Sequence, residues 1–257
     1  MSANENRDPQ PVYVYGVVSA DSGLSIREPG VADQRVELVA HDGIAAVVSS
    51  FPADDPRVRR RDLVAHLQTL ERIFERTTVA PCPFGTVLGS PGDVEEHFLA
   101  PRRDELRSLL TRLEGHAQMN VKAEYDEEAV LRELVADDPD VAAAREHAKG
   151  LGSAAYYENI RLGELVSARL AHRRAQDAER ISARLSGLAA ATVEEPVNES
   201  ELLVFKGSFL VGQARFAEFD RALDELAAAE SGRLRFEAIG PLPPTAFANL
   251  DEVGTWA

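Results

Sequence analysis

From Gln118 onward the chain switches between two hydrophobic periodicities in an order that few folds accept. Gln118–Tyr125 alternates as a strand, and Asp126–Val135 follows as a helix with Asp126 as its N-cap. After Asp137-Asp-Pro-Asp140 a long helical region runs to about Leu188, loosened by Gly150, Gly152 and Gly163. Val166, Leu170, Ala178, Ile181, Leu185 and Leu188 share one face of it. Ala191–Val197 and Glu201–Val211 read as two strands joined at Asn198-Glu-Ser200; the second sets Leu203, Phe205, Phe209 and Val211 against Val204, Lys206, Ser208 and Leu210. Phe216, Phe219, Leu223 and Leu226 then mark a helix, and Leu234, Phe236 and Ala238 a last strand. The order β-α-β-β-α-β predicts a split βαβ, or ferredoxin-like, domain with an unusually long first crossover.

The first half is mixed. Val12-Tyr-Val-Tyr-Gly-Val-Val18 reads as a buried strand. Val36–Ala40 and Ile44–Val48 flank an Asp42-Gly43 turn, a hairpin signal. Leu63, Leu67, Leu70 and Phe74 recur at helical spacing, with Ile73 beside them, and predict an amphipathic helix over 58–76. Pro81 and Pro83 exclude a central strand from the extended stretch 77–88. A helical pattern from Asp93 to Glu114 is expected to break at Pro101. The fold class expected is therefore α+β: a disordered tail over 1–11, an N-terminal domain over 12–115, a ferredoxin-like domain over 116–240 and a Pro-rich tail over 241–257.

Charge narrows the function. With 28 Lys plus Arg against 43 Asp plus Glu, the 257-residue chain carries −15, the wrong sign for a nucleic-acid binder or an anionic membrane surface. A DNA-binding regulator is disfavoured on that ground. Cys82 is the single cysteine, so no intramolecular disulfide forms, and the polar start lacks a signal peptide's apolar stretch. The expected setting is the cytoplasm.

Catalytic signatures are missing. The six histidines (41, 66, 97, 116, 147, 172) form no metal-binding spacing and read as surface or turn residues. Gly150-Leu-Gly-Ser-Ala-Ala155 matches a dinucleotide loop in letters, but an alanine-rich helix precedes it where a strand is needed. Cys82 has no basic neighbour to activate it and reads as a buried inert thiol. Asp54-Asp-Pro56 and Asp137–Asp140 read as capping turns, Arg57–Arg61 as a solvated helix start, and Asn198-Glu-Ser200 as a turn. Two segments resist so plain a reading: Pro81-Cys-Pro-Phe-Gly-Thr86 and Gly240-Pro-Leu-Pro-Pro-Thr-Ala-Phe247, both stiffened by proline. Such strips dock on their own domain or present a preordered edge to a partner.

These segments carry a resemblance. With Tyr13–Val18, Asp42–Ser49, Thr78–Val87, Val121-Lys122, Gly152–Tyr156 and Ser208–Val211 in order, the chain resembles the GvpF/GvpL family of gas vesicle proteins from Val12 to about Phe247. It departs from the family at Pro83, where a basic residue is usual before Phe-Gly-Thr, and at Thr245-Ala246, where Tyr-Ser is usual. Gln118-Met-Asn-Val-Lys122 looks GvpL-like and actinobacterial. The resemblance implies two α+β domains and a non-enzymatic accessory or minor structural component. It implies no cofactor, no metal and no catalytic residue. The implied partner is the shell protein GvpA, with other gas vesicle accessory proteins, and the implied role is early assembly, keeping GvpA from aggregating. The exposed edge of the C-terminal sheet is the first place to expect that contact. The alternative is a ferredoxin-like ligand-binding module or enzyme, which would show a concave pocket with convergent titratable groups.

Overall fold

A computed structural model describes residues 10–52, 60–151, 156–197 and 200–248. The chain divides into two compact units, residues 1–118 with 241–257, and residues 119–240.

In the first unit, β1 (Val12–Ser19) is the central strand, buried from Val12 to Val18. Its neighbour β3 (Ile44–Ser50) is joined to β2 (Val36–His41) by the expected two-residue turn, with Asp42 at φ 42° and Gly43 at φ 87°. The other side of β1 carries two short antiparallel strands, β4 (Ala80–Pro81) and β5 (Val87–Leu88). Pro81 thus sits where the proline rule allows, in a two-residue strand at the sheet's margin. The β1–β3 register slips between Val14 and Gly16. A Cβ on Gly16 would lie 2.7 Å from the Ala80 carbonyl, so the glycine lets β4 approach.

Helix α1 (Arg60–Phe74) forms where the spacing predicts it, but only part of its apolar set faces the core. Its buried residues are Asp62, His66, Thr69, Leu70 and Ile73, whereas Leu63 and Leu67 point outward, 38% and 44% exposed. The polar groups are tolerated inside because they find partners: Thr69 donates to the Ala65 carbonyl at 2.8 Å, and His66 meets Tyr13. Pro101 also acts differently from expectation. The helix runs on from α2 (Pro91–Asp93) through a π-turn at Val94–Leu99 into α3 (Ala100–Leu113). The wider turn hands the Ala100 N–H to the Glu95 carbonyl, and that widening lets the helix continue past Pro101, which has no N–H to donate.

In the second unit β6 (His116–Tyr125), which starts just before the boundary, leads through Asp126, whose carboxylate caps the Ala129 N–H at 3.0 Å, into α4 (Glu127–Asp137). Then come α5 (Pro139–Gly150), the 31-residue α6 (Tyr156–Ser186), β7 (Ala191–Glu194), β8 (Leu203–Gly212), α7 (Phe216–Ala229) and β9 (Leu234–Leu242). The sheet order is β7-β8-β6-β9. Gly163 lies inside α6 without ending it, and β9 continues through Gly240-Pro241, the expected start of the tail. The core gathers Val121, Ala123, Leu170, Ile181, Leu185, Phe209 and Phe219.

One polar cluster lies inside this unit. The Asp177 carboxylate, with the residue 3% exposed, accepts from the Tyr125 hydroxyl at 2.6 Å, Arg233 Nη1 at 2.6 Å and Arg180 Nη2 at 2.8 Å. Arg233 and Arg180 both also pair with Glu230. The cluster ties β6, α6 and the start of β9 together. Burial works against the charge on Arg233, but its bonds to Glu230 and Asp177 outweigh that and hold its pKa above the ordinary value.

Candidate functional site

The two proline-stiffened segments meet. A cavity of about 400 Å³ in the first unit is lined by Pro81, Cys82, Pro83 and Phe84 on one side, by Thr245, Ala246 and Ala248 on another, and by Leu63, His66 and Leu67 of α1. Each wall has a local cause. The tail is pinned by Gln118, whose side-chain oxygen accepts the Ala246 N–H at 2.8 Å. The Pro81–Thr86 strip is pinned by the Cys82 N–H on the Tyr15 carbonyl (2.9 Å) and the Thr86 hydroxyl on the Pro83 carbonyl (2.7 Å). Neither Pro81 nor Pro83 has an N–H to offer.

His66 in the wall is backed by buried aromatic rings. His66 stacks on Tyr15 with ring centroids 5.8 Å apart and meets Tyr13 and Phe84 edge-on at 5.6 and 5.5 Å. Tyr13 Oη lies 3.0 Å from His66 Nδ1 and accepts the Gly85 N–H at 3.0 Å. Tyr15 Oη is held by Ser49 Oγ at 2.9 Å and the Val31 N–H at 2.6 Å. Burial lowers the His66 pKa to about 4, so the ring is neutral at pH 7, and raises the Tyr13 hydroxyl above its ordinary value. Burial likewise pushes the Cys82 thiol up to about 12. That leaves an inert thiol in the wall, as its surroundings in the sequence suggest. The groove can therefore hold apolar matter around one neutral imidazole. It contains no activated nucleophile.

Leu63 and Leu67 in the wall and Val64 beyond it on α1 are all more than a third exposed. Val64, at 47%, is the most open of the three. Among the sequence candidates His66 is the one misread, since it is buried rather than at the surface. His41, His97 and His172 do have surface partners: Glu95 at 3.2 Å, Asp93 at 3.7 Å and Gln176 at 3.1 Å. Arg60 and Arg61 open α1; residues 1–9, Asp54–Pro56, Arg57–Arg59, Gly152–Ala155 and Asn198-Glu199 lie outside the described residues. Gly150 closes α5, so a helix does precede the dinucleotide-like letters. The C-terminal sheet's margins are β7 and β9, and β9 carries Arg235, Glu237 and Pro241, residues that blunt strand addition. A second, polar cavity of about 500 Å³ lies near Ser19, Asp21, Thr77, Thr78, Arg107 and Glu114. Among the described residues no three His, Cys, Asp or Glu side chains are grouped to hold a metal, and no helix is long and apolar enough to cross a membrane.

Fold and groove together define a two-unit α/β protein with an apolar recess walled by two rigid strips. Residues 11–249 match the family described as Gas vesicle synthesis protein GvpL/GvpF, and the chain belongs to that family. It is 36% identical to Gas vesicle protein F of Streptomyces sp. (strain CB03234), covering 91% of this chain and 98% of that one. It is 23% identical to Gas vesicle protein F of Dolichospermum flosaquae, over 94% and 98%. The fold matches the crystal structure of GvpF from Anabaena sp. PCC7120 at a TM-score of 0.81 and 23% identity, covering 94% of this chain and 99% of that one. GvpF from Microcystis aeruginosa matches at 0.73 and 22%, over 93% and 99%. These relatives bear the name F, whereas the Gln118–Lys122 spelling suggests the L type. Membership gives the chain a role in gas vesicle formation.

Proposed function

We propose that this chain is a non-enzymatic accessory protein of the gas vesicle that binds the shell protein GvpA in the cytoplasm. It assists early assembly by covering apolar shell surface that would otherwise aggregate. The observation that carries this reading is the apolar run Leu63, Val64 and Leu67, left exposed beside an apolar recess while polar Asp62, His66 and Thr69 are turned inward. An exposed apolar strip in a strongly acidic chain suits capture of a greasy subunit, with the surrounding charge keeping the complex dispersed. The groove supports this better than the C-terminal sheet edge, whose β9 is protected by charge and proline. We read residues 116–240, with sheet order β7-β8-β6-β9, as a ferredoxin-like domain.

The experiment is co-expression with GvpA followed by affinity purification of this chain. Recovery of GvpA in a stable complex is the expected result. Soluble GvpA that never co-purifies would overturn the reading. The enzyme alternative rests on the polar cavity at Arg107 and predicts turnover or specific binding of a small polar ligand there.

A further inference from the structure

His66 lies at the base of the groove, 2% exposed, with one ring nitrogen accounted for. Tyr13 Oη accepts the Gly85 N–H, and among the described residues His66 Nδ1 is the one acceptor within reach of its own hydrogen, so we assign that hydrogen to Nδ1. The ring proton therefore sits on Nε2. Among the described residues Nε2 has no hydrogen-bond partner, and no fully buried side-chain nitrogen or oxygen is left unpaired. That N–H consequently opens on the cavity that His66 lines.

The other walls offer little that competes. Pro81 and Pro83 lack an N–H, the Cys82 N–H is spent on the Tyr15 carbonyl, and the Ala246 N–H is spent on Gln118. Leu63, Leu67 and Phe84 contribute apolar side chains. In the free protein water can satisfy this donor, and a ligand that displaces the water from so apolar a wall must bring its own acceptor. Leu63 and Leu67 of the wall are themselves more than a third exposed, and Val64, outside the lining on the same helix, is 47% exposed, so an occupant can extend past the recess, as a chain segment does.

We propose that the groove binds an aliphatic peptide segment, seating a leucine-sized side chain against Leu63, Leu67 and Phe84 while one main-chain carbonyl accepts the Nε2–H of His66. The segment offers a carbonyl unpaired within its own chain, as at the last turn of a helix. This deepens the function proposed above and rests on it only for which protein supplies the segment.

The test uses N-acetyl-leucine N-methylamide titrated into the ¹⁵N-labelled full-length protein, with the imidazole nitrogens followed by NMR. His66 is expected to show the Nε2–H tautomer when free, and that proton to move downfield saturably as the probe binds. His66→Phe keeps a ring of similar size and loses the donor, and is expected to bind the probe about five- to tenfold more weakly. An Nδ1–H tautomer, an unmoved Nε2–H signal up to the probe's solubility, or equal affinity in both proteins would each overturn the proposal. Should His66→Phe fail to fold, the titration of the unsubstituted protein decides alone. No shell protein enters these measurements, so their failure is distinct from a failure of GvpA to co-purify.

Discussion

Replacing Asp177 with alanine removes the acceptor shared by Tyr125, Arg233 and Arg180, and the cost follows from what each donor is left with. Arg180 is half-exposed and turns to water at little cost. The Tyr125 hydroxyl and Arg233, whose side chain is 12% exposed, cannot do so as readily. Breaking a buried ion pair from one side typically costs about 3–5 kcal/mol, and the surviving Arg233–Glu230 pair puts this case near the lower end, about 3 kcal/mol. For a unit of roughly 120 residues that is a drop in Tm of about 10 °C. Urea titration followed by far-UV circular dichroism, with calorimetry beside it, measures both. Asp140→Ala, which breaks only the exposed pair with Arg169, is the control and should cost no more than about 0.5 kcal/mol. An Asp177→Ala protein within about 1 kcal/mol of the original would refute the view that the cluster is a closed, desolvated network.

Two further outcomes are expected. The folded-state pKa of His66 is about 4 and its unfolded value about 6.5, so the unfolded chain binds the extra proton between them. Stability of the first unit should therefore fall as pH drops from about 6.5 towards 4, by on the order of 3 kcal/mol in all, and denaturant titrations at several pH values should show that limb flattened in His66→Phe. Gly30→Ala would set a Cβ 2.1 Å from Tyr15 Oη and displace the hydroxyl from the Val31 N–H; the expected loss is about 2 kcal/mol by chemical denaturation, and an unchanged midpoint would contradict the packing described.

What could be read from the residues alone was whatever local chemistry decides. Asp42-Gly43 makes its turn because positive φ is needed at both positions, and Asp126 caps its helix because an oxygen there reaches the Ala129 N–H. The inner face of α1 was not local in that sense. Leu63 and Leu67 look like core by spacing, and His66 like surface by type. The inner face combines Leu70 and Ile73 with Asp62, His66 and Thr69, and Tyr13, distant in sequence, supplies a partner for the imidazole. Pro101 reads as a break until the π-turn before it is known to widen the helix around it. Asp177 is one acid among many on a charged helix, and its partners Tyr125 and Arg233 are 52 and 56 residues away. The two proline-stiffened strips stand out individually, yet nothing in their letters says that they face one another across a single recess.

The central claim is that Leu63 and Leu67 are left outside in order to hold shell protein. Quantitative co-purification of GvpA with the original chain and with a Leu63→Asp/Leu67→Asp protein, matched for Tm, tests it most directly. At least a tenfold loss of captured GvpA at unchanged stability is the predicted result; equal capture by both proteins would contradict it.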